Sequence, residues 1–254
     1  MQNQRQRLDY LFRLGDNALI LGQRLSELVG KAPQLEEEMA LVNIALDRIG
    51  QARLFLTYAG EIEGKGRSED DLAYHRDQQD FRNALIAELP NGDFAFTIGR
   101  LFLVAAFEHD LYRALTQSAD RRLAGIAEKA SKEVRYHLRH AAEWVIRLGD
   151  GTEESHRRMQ AAIDRLWGYT GELFEPDEVD RAMHAAGIGP DLASLQDSWD
   201  KRVEEVLHEA RLERPADGWM QRGGKSGRMH SEHLGYILAE MQALPRAYPD
   251  AREW

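Results

Sequence analysis

The chain is 254 residues long, carries a formal net charge of −10, contains no cysteine, and has 31 alanines and 31 leucines against 24 valines, isoleucines and threonines together. Without thiols there can be no disulfide framework, thiolate metal site, iron–sulfur cluster or thiol nucleophile, so any chemistry must use oxygen and nitrogen atoms. The excess of Ala and Leu over β-branched residues predicts an all-α chain. The acidic balance argues against a nucleic-acid partner. No run approaches about 18 apolar residues, and no leader-like apolar segment opens the chain, so a cytoplasmic protein with no membrane partner is expected.

Gly and Pro punctuation divides the sequence into helical blocks. The first spans about 4–29 and stops at Gly30-Lys31-Ala32-Pro33. Pro33 suits the first turn of a second helix, where Glu36, Glu37 and Glu38 favour the positive end of the helix dipole, and that helix continues to about Tyr58. After a loop over 60–68, the stretch 69–88 reads as a weaker, more polar helix. Pro90-Asn91-Gly92-Asp93 breaks it, with Asp93 placed to cap a third strong helix over 94–117. A fourth covers 120–148 and ends at Gly149-Asp150-Gly151. Beyond it, Thr152 caps a helix to about Thr170, Pro176 opens a short one ending at Gly187, and two more cover 191–212 and 231–244.

Helices one and two are joined by a short turn, helices three and four by a shorter one, and about 30 residues separate the pairs. Two hairpins linked by a long crossover predict a ferritin-like four-helix bundle. No Pro/Ser-rich linker interrupts the chain, so a single domain is expected, with the core bundle at roughly 4–149 and helical additions over 152–254.

Reading the helices at alternating three- and four-residue spacing exposes polar interruptions in apolar seams. Helix two gives Leu41, Ile44, Arg48, Gln51, Phe55 and Tyr58, and helix three gives Phe94, Ile98, Leu101, Ala105, Glu108, Tyr112 and Leu115. Helix four gives Leu123, Ala127, Ala130, Val134, His137, Ala141, Trp144 and Leu148. A single Glu or His on such a stripe is ordinarily a satisfied core residue; three seams interrupted at mid-height predict a shared buried polar cluster. Ferritin-like bundles that hold two metals supply a Glu from each of two helices and a Glu-x-x-His from each of the other two. Here Glu108 is the lone Glu of helix three and His137 the His of helix four, but Val134 stands three residues before His137 and cannot ligate. At the corresponding place helix two reads Arg48-Ile49-Gly50-Gln51, and a permanent cation at Arg48 replaces a ligand and repels a dication. Glu133 is better placed as a surface partner of Lys129 or Arg135, and on helix one Asp16, Gln23 and Glu27 stay open as further contributors. The pattern is that of a vestigial metal site, in which Arg48 would fill the space of the lost cations and pair with Glu108, with Gln51 and His137 as hydrogen-bond partners.

An ordered set of segments carries a resemblance. Residues 14–25 (LGDNALILGQRL), 43–53 (NIALDRIGQAR), 90–93 (PNGD), 132–139 (KEVRYHLR) and 223–235 (GGKSGRMHSEHLG) together resemble the C-subunit family of bacterial phenylacetyl-CoA ring epoxidases, in order and over nearly the whole chain. The resemblance implies a structural, non-catalytic subunit of a multicomponent di-iron monooxygenase that epoxidises the ring of phenylacetyl-CoA in aerobic phenylacetate degradation. It implies no metal or other cofactor on this chain and iron in a paralogous catalytic A subunit. A small B subunit and a reductase complete the system, and a homodimer is the alternative assembly for the isolated chain. The competing reading is a di-iron or di-manganese oxidase acting alone with an atypical ligand set.

In the segment 223–230 (GGKSGRMH), Lys225 and Arg228 on a glycine-rich loop are candidates for contacting a CoA phosphate or a partner subunit, and the loop lacks the full phosphate-loop motif. His230 and His233 supply only two imidazoles, so Ser231 and Glu232 read as helix-start residues. Trp167, Tyr169, Phe174, Trp199 and Trp219 are expected in the core or at a subunit interface. Arg135, Arg139, Arg147 and His140 are expected on a solvated or interface face of helix four.

Overall fold

A computed structural model describes residues 2–249 and 251 of the chain. In order, the helices are α1 (Gln2–Ser26), α2 (Leu35–Glu63), α3 (Glu69–Tyr74), α4 (Leu85–Glu88), α5 (Phe94–Leu115), α6 (Arg121–Gly149), α7 (Glu153–Trp167), α8 (Gly171–Phe174), α9 (Glu178–Ala185), α10 (Gln196–Glu209), α11 (Glu232–Met241) and α12 (Ala243–Ala247). Short 3₁₀ turns at Gln78–Asp80 and Ala193–Leu195 complete the regular structure, and no strand occurs among the described residues. The order is all-α and ferritin-like: hairpin α1–α2, a long crossover, then hairpin α5–α6. No helix among the described residues is long and apolar enough to cross a membrane.

The chain forms two compact units, Met1–Pro90 with Arg222–Trp254, and Asn91–Gln221. The C-terminal additions divide between them: α7 to α10 belong to the second unit, α11 and α12 to the first. In the first unit, glycines let α1 lie close to α2. A Cβ on Gly15 would stand 2.9 Å from Leu56, and one on Gly22 would stand 3.1 Å from both Arg48 and Ile49. The α2 start differs from expectation. Pro33 lies outside the helix, Gln34 is the N-cap, and Glu38 instead accepts hydrogen bonds from the backbone N–H groups of Gly30 and Ala32, closing the turn. The helix runs past Tyr58 to Glu63, where Gly64 takes the left-handed conformation that a Cβ would disfavour (φ 70°).

The crossover corrects the expected helix over 69–88. Ser68 and Asp71 form a capping box, but α3 lasts six residues, and an extended stretch separates the 3₁₀ turn from α4. The Arg76 guanidinium, between α3 and the 3₁₀ turn, donates to the Leu72 and Asp80 carbonyls and to the Asp16 carboxylate of α1, and lies over the rings of Phe12 and Phe81. Asp16 also accepts from the Arg82 backbone N–H at 2.8 Å, and Asn17 from that of Ala84 at 2.8 Å. Polar groups of α1 thus satisfy crossover backbone that would otherwise have propagated a helix.

In the second unit, Asp93 accepts from the Phe96 N–H at 2.9 Å to start α5, Asp120 caps α6, and Thr152 forms a capping box on α7. Helix α5 is buried around almost its whole circumference. A Cβ on Gly99 would stand 2.9 Å from Met159, which is how α7 lies so close to α5. The Trp199 indole N–H donates to the Leu103 carbonyl at 3.0 Å, and Trp199, Trp167, Phe174 and Phe107 form a chain of ring contacts with centroids 5.2–5.5 Å apart. Trp167, Phe174 and Trp199 lie in the core, one of the two places expected for them, and Trp219 is exposed.

Candidate functional site

The helix-two seam forms as its spacing predicts. Leu41, Ile44, Arg48, Gln51, Phe55 and Tyr58 are all buried, and Arg48 is among the largest fully buried side chains of the chain. Burial of a guanidinium is expensive unless its donors are satisfied, so its place at the centre of an apolar face is a chosen feature of the sequence. Gly22 is the α1 residue whose missing side chain leaves room beside Arg48. The α1 carboxylates left open by the sequence have other duties. Asp16 holds Arg76 and the crossover, and Glu27 pairs with Arg24 at 2.7 Å.

On the second hairpin, Glu108 of α5 and Val134 and His137 of α6 are likewise buried, and Val134 occupies its position with an aliphatic side chain that has no donor atom. Glu133 lies 3.6 Å from Lys129, one of the two surface partners that its sequence neighbourhood offered. Among the described residues no group of three or more His, Cys, Asp or Glu side chains is placed to hold a metal ion. Val134 has no donor atom and Arg48 is a permanent cation, so neither offers the carboxylate or imidazole that a di-iron centre takes from its helices.

A second buried polar centre escaped the sequence reading. Glu88 of α4 is fully buried, and its carboxylate accepts from the Ser231 N–H at 2.7 Å, the Ser231 hydroxyl at 2.6 Å, the Asn83 amide at 3.0 Å and His230 Nδ1 at 2.5 Å. His230 Nε2 faces the Phe81 carbonyl at 3.2 Å, and the Arg24 guanidinium donates to the carbonyls of Glu88 and His233. Ser231 occupies the N-cap position of α11 and Glu232 opens the helix, as the helix-start reading has it, but the Ser231 hydroxyl bonds Glu88 rather than the helix. The signal was present in the run Ala84-Leu-Ile-Ala-Glu-Leu89, where one carboxylate interrupts five apolar residues.

The glycine-rich loop is built around close approach. A Cβ on Gly224 would stand 2.5 Å from the Asn83 carbonyl and 2.9 Å from the Leu85 nitrogen, and Gly227 adopts φ 67°. Within that loop Lys225 is half-buried and Arg228 exposed. In the second unit, Asp110 of α5 receives both ends of the Arg202 fork, at 2.8 and 3.1 Å. Burial pushes its carboxyl up, but hydrogen bonds from His109 and Arg202 outweigh this and hold it well below the usual carboxylate range. That pair ties α10 to α5 by structure rather than by chemistry.

Helix order defines an all-α, ferritin-like chain, in which α2 buries the guanidinium of Arg48 and α6 buries the aliphatic Val134. The chain belongs to the phenylacetic acid catabolic protein family, whose model matches residues 1–254. It is 48% identical over 245 residues to the C subunit of the 1,2-phenylacetyl-CoA epoxidase of Escherichia coli (strain K12), covering 96% of this chain and 98% of that relative.

Proposed function

We propose that this chain is the structural, non-catalytic C-type subunit of a phenylacetyl-CoA ring epoxidase in aerobic phenylacetate degradation. It pairs with and stabilises a catalytic A subunit that holds the di-iron centre, and a small B subunit and a reductase complete the assembly. This chain binds no metal of its own and takes no part in the chemical step; its contribution is to keep the catalytic subunit folded and assembled. Two observations support the reading, a guanidinium buried at mid-height of α2 (Arg48) and an aliphatic residue buried at mid-height of α6 (Val134), in a member of a family that has a relative named as an epoxidase subunit. A guanidinium cannot be deprotonated at physiological pH, so Arg48 cannot become a ligand as a Lys or His could.

Co-expression with the A-type subunit tests the pairing. The expected result is a stable complex on size exclusion and a several-fold gain in soluble A subunit; an A subunit equally soluble and active without this chain contradicts it.

A further inference from the structure

Helix α7 turns three arginines toward the start of α5. Arg158, Ala162 and Arg165 follow at spacings of four and three, and Arg157, Ala161 and Arg165 at four and four, so all share one side of the helix. Together with Asp93 and Phe96 they line a cavity of about 270 Å³ in the second unit. Phe96 stands one turn before Gly99, where the missing side chain lets α7 close on α5. The cavity floor is carbon, from the buried Phe96 and Ala162, and its rim is guanidinium. Paired arginines on an exposed helix are ordinary, and Glu154 does hold two of these. It accepts from Arg157 Nε and Nη2 at 3.0 and 2.9 Å and from Arg158 Nε at 2.6 Å. What sets this cavity apart is the donors left over, since a guanidinium carries five N–H groups. Arg157 Nη1 and Arg158 Nη2 have no acceptor among the described residues, and Arg165 makes no hydrogen bond or ion pair there at all. Its guanidinium is instead held 5.0 Å from the centroid of the Phe96 ring, which fixes it at the rim. Asp93 accepts with Oδ1 from the Phe96 N–H that starts α5 and leaves Oδ2 3.5 Å from Arg158 Nη1. In a chain of net charge −10, three cations against two carboxylates are a local reversal of sign.

We propose that this cavity is a binding site for a phosphate group, with Arg165 supplying its unshared fork and Arg157 and Arg158 their remaining N–H groups. A carboxylate is satisfied by one guanidinium fork, whereas three around a single concavity suit a group with three terminal oxygens and a double charge. Arginine serves this purpose better than lysine, because its planar donors match the oxygens in pairs. The volume lies just below the range of about 300–1,000 Å³ typical of small-molecule sites, so the cavity takes the charged head of a ligand and leaves the rest outside. A phosphate monoester and free orthophosphate share this chemistry. The inference is independent of the functional reading above, because it uses only α7 and the start of α5.

Isothermal titration of the full-length chain at low salt, where an exposed rim of charges is least screened, tests the site with adenosine monophosphate, inorganic phosphate and adenosine. Binding at one per chain is expected for the two phosphate probes and none for adenosine. The tighter of the two phosphate probes identifies the source, the monoester or the free ion. Arg165→Gln is expected to weaken binding about tenfold, as loss of a charge-assisted bond does, with unchanged helix content by circular dichroism. Arg165→Lys should recover only part of the loss, since an ammonium cannot form the fork. Arg147→Gln, at an exposed arginine of α6, should leave binding unchanged. No binding of either phosphate probe, binding that survives Arg165→Gln, or an equal loss in Arg147→Gln overturns the proposal.

Discussion

Helices α2 and α6 are the second arms of their hairpins and are both 29 residues long, yet they meet solvent differently. The outer side of α6 is charged. Lys132 pairs with Glu128 at 3.0 Å and Lys129 with Glu133, and the guanidinium groups of Arg139 and Arg147 lie over the rings of Tyr136 and Trp144. The outer side of α2 presents leucine, methionine and a bare glycine. One helix turns charge outward, the other largely carbon. Their inner sides differ less, since each buries polar side chains at mid-height among apolar neighbours, Arg48 and Gln51 in one and His137 in the other.

The comparison can be sharpened by substitution, beginning where each unit holds its own parts together. Asp16→Ala should have the largest effect, because it strips a fully buried Arg76 of its counter-ion and the crossover of its anchor. A loss of about 3–5 kcal/mol is expected for breaking a buried pair, read as a shift of the urea midpoint. Glu88→Gln keeps the shape but removes the charge to which Ser231 and His230 are bonded. About 2–3 kcal/mol is expected, with faster proteolysis in the segment over 222–231, since that segment is docked by these bonds.

In the second unit, Asp110→Asn should cost about 1.5 kcal/mol at pH 7. Its sign with pH follows from the lowered carboxyl. Above about pH 5 Asp110 is ionised in both folded and unfolded chains, and the stabilisation by Arg202 is fully present. Below about pH 4 the unfolded chain takes up the proton first, so the stabilisation declines in acid. The gap in urea midpoint between native chain and variant should therefore narrow from pH 7 to pH 3; a constant gap would place the stabilisation elsewhere. Smallest of all, Lys132→Ala on the outer side of α6 should change stability by less than about 0.5 kcal/mol, as an exposed i,i+4 pair does.

The long helices were legible because their signals are local and repeated. The seams at alternating three and four residues, the Asp93 and Thr152 caps and the glycine stops all act within a turn or two of the residues they control. The buried status of Arg48, Gln51, Glu108, Val134 and His137 followed from the same periodicity. The crossover was not legible. Its polar composition suits an exposed helix, and what prevents one is a set of bonds from Arg76, Arg82 and Ala84 to α1 residues more than sixty positions away in most cases. The Glu88 centre was hidden for the same reason, since Ser231 and His230 are over 140 residues distant in sequence. Long-range hydrogen bonds leave no periodic trace; at most they leave a polar residue in an apolar run, as Asp16 and Glu88 do.

The proposed function requires that this chain holds no iron of its own, and metal content measures that most directly. Chain purified from iron-supplemented cells and analysed by plasma emission should carry far less than one iron per chain, while its complex with the catalytic partner should carry about two, all lost when that partner is removed. About two irons retained by this chain alone, with reductant- and dioxygen-dependent turnover of the acyl-CoA, would contradict the account.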